Sequence, residues 1–286
     1  MRLARLSVTN YKAFEDFVFE PDPSGLTTVI GANGSGKTSL WEVLSLMSRL
    51  ANGWQYEWLE RQFRGRGRVF DWLGTWGVYR FRVLDLMKNL GDLAVGQGPS
   101  DSLTTTGDNI ARILYRWKTE PNPDRLRAVT DLLAVLLERT GNAAVTWDVA
   151  TEIAGGTVYP FVRVYQSDTR DRWHELAYGP DGFKILLLIV CALNGREDFV
   201  VIEEPETHLD PRLMDVVADL LKSATTNGKQ VVVTTHSPLL AQELPVGSIR
   251  VLTGRRCEAV PETVRVGGDV LAAWLTDVLH EKGTAP

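Results

Sequence analysis

The residues of this 286-residue chain that could do chemistry lie in two short segments, GANGSGKT and FVVIEEPETHLDP. The first matches the pattern G-x-x-x-x-G-K-[ST], in which glycines let backbone N–H groups turn inward around phosphate oxygens. The lysine neutralises the β- and γ-phosphates, and the next hydroxyl coordinates Mg²⁺. A chance glycine-rich turn is the alternative. The pattern predicts a nucleoside-triphosphate site formed by Gly31, Ala32, Asn33, Gly34, Ser35, Gly36, Lys37 and Thr38.

Two adjacent glutamates, Glu203 and Glu204, end the apolar run of the second segment. A phosphate-binding loop needs a second strand whose C-terminal end carries an acid for the metal. We therefore predict that Glu203 holds Mg²⁺ through water, and that Glu204 orients or deprotonates the attacking water. A buried strand that merely exits into a charged surface turn is the alternative.

The elements that would position these groups alternate between strand and helix. Residues 26–30 form a short apolar strand that runs into the glycine loop, and an amphipathic helix with apolar residues at spacings of three and four follows. Later come a buried helix at 183–193, strands at 199–202 and 230–234, and helix starts at Asp210–Pro211 and Ser237–Pro238. This order predicts an α/β fold with a mixed or parallel sheet flanked by helices.

The domain organisation expected from this pattern is one domain, residues 1–286. Its core lobe covers about residues 1–51 and 183–286, and residues 52–182 form a second lobe that contains helices and strands. In that lobe we expect helices at 109–117 and 124–139, a strand around 78–84 and an extended segment at 158–166. The opening residues, up to Phe19, read as a pair of strands.

Composition excludes some function classes. The net charge of −5 argues against a protein whose whole surface binds nucleic acid or membrane, although a local basic patch remains possible. The longest apolar run, residues 185–193, is much shorter than the roughly 20 residues that span a bilayer. The N-terminus lacks the apolar core of a signal peptide. We expect a cytoplasmic protein without a membrane partner.

Four segments together resemble a family, the ABC-type ATPase heads of the SMC, RecF and OLD-like group in the shorter bacterial form called AAA family ATPase. They are NYKAF at residues 10–14, GANGSGKTSL, IEEPETHLDP and VVVTTHSPLL. The resemblance implies a P-loop NTPase fold with an ABC-like head. Since only some 50 residues follow His236, we expect a stand-alone head without a Toprim nuclease domain.

The resemblance also implies a mechanism with ATP and Mg²⁺. Two heads would pair head to tail and enclose two ATP molecules between them. Lys12 and Ser39 would join the phosphate loop in binding nucleotide, and His236 would contact the γ-phosphate. Ser39 has an alternative as a partly solvent-facing residue of the first helical turn, and His236 has one as an ordinary polar end of a strand.

Two positions depart from the family pattern. The metal-side acid is usually Asp and here is Glu203, whose extra methylene favours contact through water. The serine-x-glycine signature, which completes the site of the other head, aligns with Pro180–Asp181–Gly182. Another register uses Ala177–Tyr178–Gly179, and a simple turn before a helix is the bland alternative. In this alignment, Asp181 and Gly182 would contact the nucleotide of the other head in trans. Since neither register supplies a serine hydroxyl, we expect this contact to be weakened and hydrolysis to be slow.

Two acids after the glutamate pair are candidates for the dimer interface, Glu206 and Asp210. Asp210 has a second, compatible role as the N-cap of the following helix. Arginines in the segment ERQFRGRGRVF could bind a nucleic-acid backbone, or could lie in an exposed loop. They are Arg61, Arg64, Arg66 and Arg68, and Gln62 beside them is a candidate for the family's Q-loop.

Three functions follow as hypotheses. The first is an ATPase that dimerises around ATP and drives a companion effector protein or a DNA or RNA transaction in genome defence or DNA maintenance. The second is a nucleotide-gated binding module with negligible turnover. The third is a nucleotide-binding subunit of a membrane transporter, which the missing LSGGQ-type signature and the EPETHLDP segment disfavour.

Overall fold

The structure is a computed structural model that describes residues 1–51, 72–83, 102–121, 123–139, 145–165, 172–253, 256–261, 264, 273–274 and 276–277. The chain forms two compact units. The first comprises residues 1–78, 197–206 and 217–286, and the second comprises residues 79–196 and 207–216. Helix 181–194 belongs to the second unit, whereas the predicted core lobe includes residues from 183 onward.

The first unit is built on a six-stranded sheet with the order β11-β10-β3-β9-β8-β4. Strands β10, β3, β9 and β8 run parallel, and β11 pairs antiparallel with β10. The strands are β3 (Leu26–Ile30), β4 (Trp76–Arg80), β8 (Phe199–Glu203), β9 (Gln230–Thr235), β10 (Ile249–Thr253) and β11 (Arg256–Ala259). Every residue of β3, β8 and β9 is buried, as expected for parallel strands covered on both faces.

Helices that belong with this sheet include α1 (Lys37–Ala51), α5 (Met214–Thr226) and α6 (Pro238–Gln242). Leu40 and Leu44 of α1 are completely buried and share one apolar cluster with Val29, Phe199 and Val201. An antiparallel hairpin, β1 (Leu6–Tyr11) and β2 (Phe14–Phe19), adds Phe14, Phe17 and Phe19 to this cluster. The apolar core therefore fixes the helix that follows the phosphate loop against the strand that carries the glutamates.

The second unit combines helices with a three-stranded antiparallel sheet of order β5-β6-β7. Its strands are β5 (Thr146–Ala154), β6 (Thr157–Tyr165) and β7 (Trp173–Glu175), and its helices are α2 (Ile110–Thr119), α3 (Asp124–Arg139) and α4 (Asp181–Asn194). Residues 183–193 of α4 are all buried, which explains why its sequence is apolar on every face.

The structure confirms an α/β fold with a largely parallel sheet flanked by helices. The predicted hairpin, the strands at 26–30, 199–202 and 230–234 and the helix at 124–139 occur with almost the predicted bounds. The strand expected around 78–84 lies instead at Trp76–Arg80, and β5, β7, β10 and β11 were not predicted. Within the described residues, no helix is both long and apolar enough to cross a bilayer.

A close approach in the second unit allows a stability prediction. Gly107 has a φ of +78°, and a Cβ at this position would lie 2.3 Å from Cδ2 of the fully buried Leu188 in α4. We expect Gly107→Ala to lower the free energy of unfolding by about 2–4 kcal/mol, because the backbone strain and the overpacking add. Urea denaturation measures this change.

The matched control is Gly156→Ala. Gly156 also has a φ of +78°, but its Cβ would meet nothing within 4 Å, so only the backbone cost of about 1 kcal/mol applies. Equal losses in the two variants would contradict the packing explanation.

Candidate nucleotide-binding site

The phosphate loop follows directly from the buried end of β3 and needs its glycines for separate reasons. A Cβ on Gly31 would lie 2.5 Å from both the carbonyl oxygen of Leu252 and Oγ of Ser35, so no larger residue fits there. Gly34 and Gly36 have φ values of +83° and +101°, in the left-handed region that favours glycine. The loop is thus a concave backbone surface of the kind that binds phosphate.

Lys37, the first residue of α1, is buried inside this loop. Its Nζ donates hydrogen bonds to the carbonyl oxygens of Gly31 (2.6 Å) and Ala32 (3.0 Å). Burial lowers the pKa of its ammonium group, and the negative charges of Glu204, Glu206 and Glu203 oppose this effect. A phosphate group entering the loop would offer this cation oxygens in place of the two carbonyls.

The metal-side residues are in contact across the first unit. The hydroxyl of Thr38 donates a hydrogen bond of 3.0 Å to Oε1 of Glu203, the last residue of β8. A hydroxyl and a carboxylate are hard oxygen ligands, and Mg²⁺ is commonly held by one or two such groups together with phosphate oxygens and water. Thr38 and Glu203 therefore fit Mg²⁺, which would neutralise charge on the phosphates when bound.

Glu204 and His236 lie side by side beyond the ends of β8 and β9. Oε1 of Glu204 is 3.2 Å from Nδ1 of His236, and both side chains are partly exposed. Glu204 has a φ of +46°, a left-handed backbone conformation that a non-glycine residue adopts at a cost. The structure thus brings together the two groups that the sequence assigned separately to water and to the γ-phosphate.

Glu206 has surroundings that the sequence did not predict. Its side chain is only 7% exposed, and Oε1 accepts hydrogen bonds from the hydroxyl of Thr235 (2.5 Å) and the backbone N–H of His236 (3.1 Å). The interface role of Glu206 stays a prediction. The pair of threonines before His236 was the only sequence signal for this contact.

The burial of Glu206 has a consequence for stability at different pH values. Burial raises the pKa of its carboxyl group above the usual 4.5. Such a group stabilises the fold fully below its unfolded pKa, and this contribution is lost as the pH rises through the folded pKa. We expect Glu206→Gln to gain thermal stability relative to the wild type as the pH rises from 4 to 8. Melting temperatures of both proteins across this range measure the gain, and a constant difference would contradict it.

The N-terminal hairpin also reaches the phosphate loop. Phe14 lies against Gly36, since a Cβ there would be 3.0 Å from the phenyl ring. Lys12, in the hairpin turn with a φ of +51°, forms an ion pair with Glu42 of α1. Ser39 lies in the first turn of α1 and is partly exposed, so both of its predicted roles stay open. Nucleotide binding by Lys12 and Ser39 stays a prediction.

The signature candidates lie in the second unit, at the start of α4. Asp181 is the first residue of this helix and accepts a 3.0 Å hydrogen bond from the buried Lys184. A Cβ on Gly182 would lie 3.3 Å from the carbonyl oxygen of His208. In the other register, Ala177 is buried and Tyr178 is exposed. Their action in trans stays a prediction.

Asp210 is the N-cap of the short 3-10 helix Pro211–Leu213, as the sequence predicted. Its carboxylate accepts hydrogen bonds from the backbone and the guanidinium group of Arg212, which lower the pKa of Asp210 to about 2. Its interface role stays a prediction. The arginine cluster at residues 61–68 and Gln62 lie outside the described residues.

Comparison with known proteins gives matches over most of the chain. The family model described as "AAA domain, putative AbiEii toxin, Type IV TA system" matches residues 121–241, and "AAA ATPase domain" matches residues 1–88. The "Putative ABC transporter ATP-binding protein" of Methanosarcina acetivorans is 21% identical over 271 residues, which are 93% of this chain and 83% of the relative. The energy-coupling factor transporter ATP-binding protein EcfA of Carboxydothermus hydrogenoformans is 26% identical over 228 residues, 79% of this chain and 66% of the relative.

Among solved structures, an Smc head bound to the C-winged helix domain of ScpA matches with a TM-score of 0.57 at 14% identity, covering 90% of this chain and 96% of the other. The fold and the site define the class, a P-loop ATPase with an ABC-like head. Both matching family models describe AAA domains, and the fold is that of an ABC-like and Smc-like ATPase head, which supports the family resemblance of the motifs.

Proposed function

We propose that this chain binds and hydrolyses ATP with Mg²⁺, and that two copies pair head to tail around the nucleotide to drive a partner. The observation that carries the hydrolysis is the position of Glu204, 3.2 Å from His236 and one residue beyond the metal-side Glu203. A carboxylate beside an imidazole at the rim of a phosphate loop is suited to orienting water for attack on a γ-phosphate.

Each residue of the site has a distinct task in this proposal. Lys37 would balance the charge of the β- and γ-phosphates, while Thr38 and Glu203 would hold Mg²⁺. Glu204 accepts a proton from the attacking water or orients it, a contribution of about 10²–10⁴ in rate for a general base. His236 would contact the γ-phosphate.

Dimerisation is proposed because the signature segment has to reach a nucleotide. Gly182 lies at the N-terminal end of a 14-residue helix, where backbone N–H groups and the helix dipole attract phosphate oxygens. The segment lacks a serine hydroxyl, so the trans contact is weaker and turnover is slow. Light scattering with ATP and Mg²⁺ tests this step, and a monomer at saturating ATP would argue against the paired heads.

The output of the ATPase is proposed to be a companion effector protein or a nucleic acid. One matching family is described together with the AbiEii toxin, and one solved relative carries a domain of ScpA, which supports a partner in genome defence or DNA maintenance. Affinity capture with a hydrolysis-deficient variant and ATP tests for the effector. Salt-dependent DNA and RNA binding, with and without Arg61, Arg64, Arg66 and Arg68, tests the second output.

Two other functions are distinguished by the same measurements. The transporter names of the matched relatives favour a subunit of a membrane transporter as a second candidate, and capture of an integral membrane protein would support it. The missing serine favours a nucleotide-gated module, which would bind ATP with equal background hydrolysis in the wild type and in Glu204→Gln.

A further inference from the structure

A buried hydrogen-bond chain joins the loop after β8 to the residues that follow β9. The hydroxyl of Thr235 donates to Oε1 of Glu206 (2.5 Å) and accepts from the backbone N–H of Ser237 (2.9 Å). The backbone N–H of His236 donates to the same Oε1 (3.1 Å). One carboxylate oxygen therefore binds Thr235 and His236 directly, and the Thr235 hydroxyl links Ser237 to the same group.

The side chains of this hydrogen-bond chain are buried in the first unit. Thr235 is completely buried, and the side chain of Glu206 is 7% exposed. Oε2 of Glu206 is buried, with no hydrogen-bond partner among the described residues. Hydrogen bonds in such surroundings are strong, and removing one partner leaves a buried polar group unsatisfied at a cost.

The hydrogen-bond chain from Glu206 restricts the position of the His236 imidazole. Nδ1 lies between two carboxylates, 3.5 Å from Oε1 of Glu206 and 3.2 Å from Oε1 of Glu204. The side chain of Glu206 is buried, while that of Glu204 is partly exposed. A histidine just after a strand has two rotatable side-chain bonds, so a fixed backbone and a second carboxylate restrict its orientation.

We propose that Glu206 is a positioning residue, which acts through Thr235 and the backbone of His236 to hold the imidazole against Glu204. This inference rests on the proposed function, because the aligned pair matters only if it serves ATP hydrolysis. It assigns the third acid of the EEPE segment to the interior of its own chain. Because Glu206 acts only by accepting hydrogen bonds, any side chain with an oxygen acceptor at the position of Oε1 should replace it.

The test compares two neighbouring threonines. Thr235→Val removes the hydroxyl that bonds to Glu206, and we expect it to lower kcat for ATP at least 10-fold while the Kd for ATP stays within 3-fold. Thr234→Val is the matched control, because Thr234 is also completely buried on β9 but its hydroxyl has no hydrogen-bond partner among the described residues. Thr234→Val and the conservative Thr235→Ser should keep kcat within 3-fold of the wild type.

A second pair of variants covers the case in which Thr235→Val does not fold. Glu206→Gln keeps an oxygen acceptor and should keep kcat within 3-fold, whereas Glu206→Leu keeps the size but should lose at least 10-fold. A folded Thr235→Val or Glu206→Leu protein with wild-type kcat would overturn the proposal, as would an equal loss in Thr234→Val.

A readout without turnover separates this proposal from the proposed function. The chain has four histidines, so the imidazole ¹H–¹⁵N signals of His236 can be assigned by their loss in His236→Asn. We expect these signals to shift in Thr235→Val and Glu206→Leu and to stay unchanged in Thr234→Val. Unchanged signals in all three would overturn the positioning role. If the wild type does not hydrolyse ATP but the signals shift in these variants as expected, only the proposed function is refuted.

Discussion

Replacing Glu204 with glutamine should lower ATP turnover at least 100-fold while ATP binding is preserved. Glutamine has almost the same shape but cannot accept a proton from water, and general bases contribute about 10²–10⁴ in rate. Glu204 is partly exposed and is not part of the buried core, so the fold should tolerate the change. Phosphate release at saturating ATP and Mg²⁺ measures the loss, and equilibrium binding of a fluorescent ATP analogue measures what is retained.

Two additional measurements make this result specific. Glu243→Gln makes the same chemical change at an exposed glutamate after α6, and its turnover should match the wild type. Because Glu204→Gln should hydrolyse ATP much more slowly than the wild type, it should accumulate as an ATP-bound dimer in light scattering. Turnover of Glu204→Gln within 3-fold of the wild type would show that another group activates the water.

Replacing Lys37 with methionine should weaken ATP binding by roughly 10- to 100-fold. A hydrogen bond to a charged group contributes about 1.5–3 kcal/mol, and each 1.4 kcal/mol corresponds to a tenfold change in affinity. The free protein should not lose stability, because burial already lowers the pKa of this ammonium group and methionine removes the cost of burying a charge. Calorimetric titration with ATP and a urea unfolding curve measure the two effects.

The control for this prediction is an exposed lysine. Lys222 on α5 pairs with Asp219 at 2.7 Å and is 41% exposed, so Lys222→Met should leave ATP affinity unchanged. If Lys37→Met instead unfolds the free protein, the hydrogen bonds to Gly31 and Ala32 are structural. In that case the loss of binding would not report on phosphate recognition.

The parts of the site that could be predicted from the sequence are those fixed by short-range geometry. The phosphate loop requires glycine where a Cβ would clash or where φ is positive. The resulting spacing of glycines is recognisable in the sequence within eight residues. The apolar run before Glu203 likewise predicts a buried strand and the edge of the sheet where its acid emerges. The local sequence of each segment is therefore enough to predict its backbone conformation.

The parts that could not be predicted depend on which distant groups meet. The contact between Glu206 and Thr235 joins residues 29 positions apart, and nothing local tells whether a glutamate after a proline faces solvent or core. Strand β5 was missed because its outer half, residues 151–154, is exposed and its pattern lacks a clear alternation of apolar residues. The pairing of β5 with β6, rather than its own sequence, makes it a strand.

The left-handed backbone of Glu204 has a consequence for protein engineering. A selection for thermal stability alone would favour glycine or asparagine at this position, since both adopt positive φ at lower cost. Such a variant would be easier to produce and would have lost the group proposed to activate water. Any stabilised version of this chain should therefore keep Glu204 and introduce stabilising substitutions at distant sites. At residue 204, the free-energy cost of the left-handed backbone accompanies the carboxylate that is proposed to activate water.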